Sequence, residues 1–227
     1  MGVEQYVSPE LLSRFEFHSY GHAIEILTQA YPAEWNDIVS CLAQLCITSS
    51  DLIEEGGNET AIPKKFDEVL YPLGWREIKL TGDLHVKLFP RKADQRGRFS
   101  PTPFDEKMIE GYIDGHNIDF VKGRVAFDLE WNSKDQTFDR DLLAMRTYFD
   151  CDLISVGIII TRSENLNDVF RQIKGSDGKP IIKKYGASTT WMGKLIPRLD
   201  SRRNGGCPIL AVGIKKTCVA DWSEPNE

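Results

Sequence analysis

The chain has 227 residues, a formal net charge of −6 and an ordinary 41% hydrophobic content, enough to build one substantial core. No apolar run is long enough to span a membrane, and no charged-apolar-small pattern follows Met1, so neither a membrane protein nor a signal-bearing secreted one is expected. Cys41, Cys46, Cys151, Cys207 and Cys218 are odd in number and contain no CxxC pair, which favours buried thiols in a reducing, cytoplasmic setting over a zinc site or a disulfide frame.

In chain order, Ala33 to Cys46 reads as a helix behind Pro32, with Trp35, Ile38, Leu42 and Leu45 near one face. Asp51 to Ala61, with Gly56 and Gly57, reads as a loop. Lys65 to Tyr71 forms a short helix that Pro72 and Gly74 end. The loose alternation of Trp75 to Phe89 suggests a hairpin. Ile118 to Trp131 reads as two strands turning at Lys122-Gly123. From Arg124 to Trp131, Val125, Phe127, Leu129 and Trp131 alternate with Arg124, Ala126, Asp128 and Glu130, the pattern of a half-buried strand. Phe138, Leu142, Met145 and Phe149 recur at helical spacing, and Leu153 to Ile160 is a continuous apolar run, as in a strand covered on both faces. Gly186 allows a turn, and Ser188-Thr189 can cap a helix carrying Trp191, Leu195 and Leu199. No linker interrupts the pattern, so a single domain over 1–227 is expected, an α/β fold with a mixed central sheet flanked by helices.

The chemistry centres on Asp128 and Glu130. Residues two apart in a strand share a face, roughly 7 Å from each other, and Asp119 on the preceding strand reaches the same space if the turn forms. Acids repelling on one face destabilise the sheet unless a cation lies between them. A hard cation with oxygen ligands, Mg²⁺, suits three carboxylates. An exposed acidic edge strand is the plainer alternative.

The stretch Asn117-Ile-Asp-Phe-Val-Lys-Gly-Arg-Val-Ala-Phe-Asp-Leu-Glu130 resembles the BglII/BstYI group of type II restriction endonucleases, within the PD-(D/E)xK nuclease superfamily. The similarity is strongest over about 112–162. Weaker echoes lie in Tyr20-Gly-His22, Trp35, Gly74-Trp75-Arg-Glu77 and the late strand Ile209 to Ile214. The resemblance implies Asp119 as a bridging metal ligand, Asp128 as a second ligand, and Glu130 as a group that orients the attacking water or helps bind metal, with one or two Mg²⁺ per site. Glu130 replaces the superfamily's usual lysine. Gln occupies that position in some members of the group, and the related BamHI-type enzymes carry Glu, so catalysis is not excluded. Lys122, in the turn, offers a substitute lysine, a phosphate contact or a merely solvated side chain. Glu77 matches a supporting position at the end of the earlier helix, or is a solvated acid.

Charge distribution favours a DNA partner despite the net −6. From Arg171 to Arg203 nine basic residues face two acids, and from Lys87 to Arg98 five face one, local excesses suited to phosphate contacts if the loops are not simply solvated. Base readout needs side chains in a groove. The candidates are Arg96 and Arg98 in the 87–98 loop, and Lys183, Lys184, Ser188, Thr189, Thr190, Lys194, Arg202, Arg203 and Asn204 in 171–206. For the hydroxyls, helix capping is the alternative role.

The expected function is therefore Mg²⁺-dependent, sequence-specific hydrolysis of double-stranded DNA at a short palindromic site. The resemblance further implies a homodimer, matching the two-fold site, and a companion DNA methyltransferase. A modification-dependent endonuclease and a catalytically inactive DNA-binding protein on the nuclease fold are the alternatives.

Overall fold

The computed structural model describes residues 2–54, 61–92 and 97–224, leaving out the side chains of 115 and 116. Arg96 lies outside the described residues, as does most of the expected 51–61 loop.

The chain opens with α1 (Pro9–Arg14), where Ser8 Oγ accepts the Leu11 N–H and Pro9 begins the helix. β1 (Phe15–Tyr20) follows, and left-handed Gly21 and His22, both at φ 62, turn the chain into α2 (Ala23–Ala30). α3 (Pro32–Gln44) begins at Pro32 and matches the expected helix closely. The start of the expected loop is instead α4 (Ser49–Ile53), closed by a reciprocal cap between Thr48 and Asp51. α5 (Ala61–Leu70) runs into a single 3-10 turn ended by Gly74 at φ 93.

The expected hairpin over 75–89 does not form. Arg76–Leu88 is one strand, β2, and its sheet neighbour is the later strand β3 (Asp105–Lys122). Local alternation could not separate the two arrangements, because one long strand and two short ones share the same period of two. After β3 come β4 (Val125–Glu130), α6 (Thr137–Asp150), β5 (Val156–Arg162), α7 (Leu166–Gln172), α8 (Met192–Asp200) and β6 (Ile209–Ile214).

Two compact units result. One holds 1–78 with 118–227, the other 79–117. In the first, strands are ordered β1-β6-β5-β4-β3, with β4, β5 and β6 parallel and β1 and β3 antiparallel to their neighbours. In the second, β2 and the first part of β3 carry Leu80, Leu84, Val86, Ile109 and Ile113 as half-buried positions among exposed ones, which include Leu88, Met108 and Tyr112.

One face of the large sheet presents Phe15, Phe17, Phe127, Leu129, Trp131, Ile158, Ile160, Leu210 and Val212 to α2, α3, α5 and α7. α6 and α8 cover the other. Consequently all six residues of β4 are buried, where a half-buried strand was expected. The alternation marks two different environments, one hydrocarbon and one acidic. Phe127 is fully buried, stacked on Phe120 at 5.1 Å and tilted against Phe66 at 5.7 Å. Replacing Phe127 by Ala should lower unfolding stability by about 3–5 kcal/mol, measured by urea denaturation, since the cavity lies between a strand and a helix that cannot both relax.

Candidate active site

The turn that carries the acids is short. β3 and β4 pair as Lys122↔Val125, Val121↔Ala126 and Phe120↔Phe127, with Gly123 at φ 55 in the bend between them. Beyond Phe120 the carboxylates take over the ladder: the Asp119 N–H donates to Asp128 Oδ1 at 2.8 Å, and the Leu129 N–H donates to Asp119 Oδ2 at 3.0 Å. Each acid is held by the other strand's backbone, which fixes both without a cation or an arginine. Asp128 is only 4% exposed and Glu130 6%. Thr137 Oγ1, at the start of α6, donates to Glu130 Oε2 at 3.0 Å.

A fourth acid joins them that the sequence reading missed. Asp141, 4% exposed, occupies the sheet-facing stripe of α6 with Phe138, Leu142, Met145 and Tyr148. Its carboxyl interacts with Glu130 and Asp128. The apolar periodicity drew attention to 138, 142 and 145, and a charged residue falling on that stripe was the available signal.

Burial and mutual repulsion set the electrostatics. Desolvation, then the charge of Asp119, raise the Asp128 carboxyl well above its ordinary value. Asp141 is pushed up to about 10 by burial first, then by the charges of Glu130 and Asp128. Asp119 reaches solvent, yet the protein packed around its carboxyl raises it to about 6; the Leu129 N–H opposes the rise, and Glu130, Glu77 and Asp67 add to it. Glu77 therefore acts on the site through its charge. It is the second residue of β2, not the end of a helix, and its neighbour Ile78 accepts a 2.8 Å hydrogen bond from Tyr148 of α6.

The donors suit a hard cation: all are carboxylate oxygens, and Oδ2 of Asp128 and Oδ2 of Asp141 are buried without a hydrogen-bond partner. As they stand, no three acid, imidazole or thiol groups among the described residues are gathered closely enough to enclose an ion. Lys122 is committed elsewhere. Its Nζ lies 2.6 Å from Asp37 Oδ2, which also accepts from Trp75 Nε1 at 3.0 Å. That lysine ties the turn to α3.

The basic segment 183–194 lies against the acid-bearing strand's exit. The Thr190 N–H donates to the Ser133 carbonyl, the Asp135 N–H to the Ser188 carbonyl, and Lys134 bridges Thr189. Arg162, at the end of β5, bolts this arrangement from beneath: Nε donates to the Trp131 carbonyl at 2.8 Å and Nη2 to Thr189 Oγ1 at 2.6 Å. The guanidinium lies 5.0 Å from the Tyr185 ring centre and 5.4 Å from that of Phe170. Burial lowers its pKa to about 10, so it stays charged at neutral pH. Sequence reading missed Arg162, although a charge closing an apolar strand was visible.

Of the groove candidates, Arg98, Lys183, Ser188, Arg202 and Arg203 are exposed. Arg203 pairs with Asp139, and Lys194 stands 3.6 Å from Asp135. Lys184 donates to the carbonyls of Leu52 and Glu54, while Thr190 and Asn204 are buried. Ser188 and Thr189 do not cap α8, whose N-cap is Trp191 with no side-chain hydrogen bond. Thr189 bonds Arg162 and the Gly186 carbonyl instead. Arg202 and Asn204 line a pocket of about 480 Å³ with Tyr20, Gly21, Leu199, Asp200 and Gly206, and none of the four acids borders it. Among the cysteines, Cys41, Cys207 and Cys218 are buried, but Cys46 and Cys151 are exposed, contrary to the expectation of buried thiols throughout.

Compared with known proteins, the chain matches the family model for restriction endonuclease BglII/BglIII over residues 15–214. No curated protein matches it significantly. The match spans both the acid-bearing hairpin and β6.

The raised carboxyls bind protons more tightly folded than unfolded. Their contribution to stability is complete below the ordinary 3.8 and is lost as pH rises through about 6 for Asp119 and about 10 for Asp141. In EDTA the melting temperature should therefore fall between about pH 5 and about pH 8 by a few degrees. Asp119→Asn should flatten the fall; an identical slope in that variant would contradict the assignment.

Proposed function

The chain belongs to the restriction endonuclease BglII/BglIII family, a type II site-specific deoxyribonuclease by that membership, and we propose that it cuts duplex DNA at a short palindromic site with Mg²⁺ as cofactor. The observation that carries the reading is the interlock of the two strands at Asp119 and Asp128, two carboxylates each held by a backbone N–H of the facing strand, Asp128 by that of Asp119 and Asp119 by that of Leu129. In this reading Asp119 and Asp128 hold the cation, and Glu130, steadied by Thr137, orients the attacking water or shares in binding metal. Bound Mg²⁺ supplies a water of lowered pKa and neutralises charge that builds on the phosphoryl oxygens. Glu77 adds negative potential from outside the pair.

DNA contacts fall to the exposed basic residues. Lys183, Ser188 and Lys194 stand on the segment stapled to residues 133–135, just past Glu130, so a phosphate or base edge held there is close to the acids. Arg98, Arg202 and Arg203, all exposed, are further candidates for phosphate or groove contact. A palindromic site is matched by a homodimer, and a companion methyltransferase protects the host's own sites. Action on DNA and five free thiols suit the cytoplasm. An inactive DNA-binding protein on the same fold is the second reading, favoured only by Glu130 in the usual lysine position and by the pairing of Lys122 with Asp37; a requirement for a modified base is a variant of the first.

Digestion of methylated and unmethylated preparations of one long duplex should yield discrete fragments with Mg²⁺ and none with EDTA, and sequencing the ends gives the site. Asp119→Ala and Asp128→Ala should each cut at least about a hundredfold more slowly while keeping salt-sensitive duplex affinity. Intact DNA under every condition, with binding retained, would favour the binding protein.

A further inference from the structure

The three acids assigned above all come from the β3–β4 hairpin. α6 forms the opposite wall of their space, and its sheet-facing stripe is apolar except at one position. Phe138, Leu142, Met145 and Tyr148 fill that stripe with hydrocarbon or a satisfied hydroxyl, whereas Asp141 brings a carboxylate to it. The side chain is 4% exposed, and its Oδ2 has no hydrogen-bond partner. Oδ1 lies 3.5 Å from Nε of Arg140, whose own side chain is mostly exposed. Across the space, Oδ2 of Asp128 is equally buried and equally without a partner. Buried oxygens left unpartnered on a strand and on the helix that covers it are unusual in a packed interior. Here they belong to carboxylates that share a neighbour, since Asp141 and Asp128 each interact with Glu130 and with one another.

From this geometry we propose that Asp141 is a fourth carboxylate of the divalent-cation site, supplying oxygen donors from α6 opposite those of Asp119, Asp128 and Glu130. The assignment rests on the metal-dependent reading of that site. Its physical basis is the donor count: a hard cation takes six or more oxygens, and a wall of hydrocarbon at 141 would leave one side of the ion to water alone. The helix position makes the donor rigid, because the neighbouring Phe138, Leu142 and Met145 are themselves fully buried.

The test uses the full chain and Mn²⁺, followed by electron paramagnetic resonance titration and by the Mn²⁺-dependent rise in melting temperature. Wild type is compared with Asp141→Asn, which keeps the side-chain volume, with Asp141→Glu and with Asp128→Asn. The expected result is Mn²⁺ affinity weakened about tenfold or more in Asp141→Asn, a smaller thermal gain, partial recovery in Asp141→Glu, and melting in EDTA no lower than wild type. Wild-type Mn²⁺ affinity in Asp141→Asn, alongside weakened binding in Asp128→Asn, would overturn the role of Asp141 and leave the metal-dependent reading standing. Failure of wild type and all variants to bind Mn²⁺ would overturn both.

Discussion

Three buried carboxyl groups beside a fourth that reaches solvent are the constraint around which this molecule is arranged. Asp128, Glu130 and Asp141 are each less than a tenth exposed, and Asp119 faces them from the next strand. Charges of one sign in such a place raise the energy of the ionised fold, by desolvation and by mutual repulsion. The structure meets part of that demand with backbone N–H groups, Thr137 and raised carboxyl pKa values. The remainder stands as an uncompensated cost of ionising the group, which a neighbouring positive charge would lower.

Holding acids in place against repulsion requires anchors outside the cluster. Asp37 provides one, accepting at once from Lys122 in the turn and from the buried Trp75, so that the hairpin, α3 and the start of β2 are fastened at one point. Arg162 provides the other, reaching from β5 to the carbonyl of Trp131 and to Thr189. The second anchor joins the strand that bears Glu130 to the basic segment that follows α7. A buried guanidinium bonded to neutral oxygens and set near two aromatic rings is a costly fixture, and its position between the acid-bearing strand and the basic segment has a consequence: their spacing is set by buried side-chain bonds.

The hairpin was readable because every signal there is local. Alternation placed Asp128 and Glu130 on one face, Gly123 marked the bend, and Asp119 followed from antiparallel pairing. The helix over α6 and the buried strand β5 were equally plain from periodicity. Where reading failed, the deciding contact was distant. The partner of β2 begins 17 residues after that strand ends, so nothing within 75–89 could choose between a hairpin and a long strand. Ser188 and Thr189 have the composition of a cap, yet Ser188 accepts from Asp135, while Thr189 bridges to Lys134 and accepts from Arg162, all remote in sequence. Lys122 looked available only because Asp37 is 85 residues away.

Sequence alone determined the residue types, the hairpin that carries three acids and the family resemblance, since these depend on spacing along a short stretch of chain. Tertiary structure alone decided that α6 closes over the acids, that Asp141 is among them, that Lys122 is not, and that Arg162 joins the acid strand to the basic segment. The division has a physical cause: periodicity encodes which side of an element faces inward, whereas the identity of what it meets there depends on packing between segments far apart in the chain.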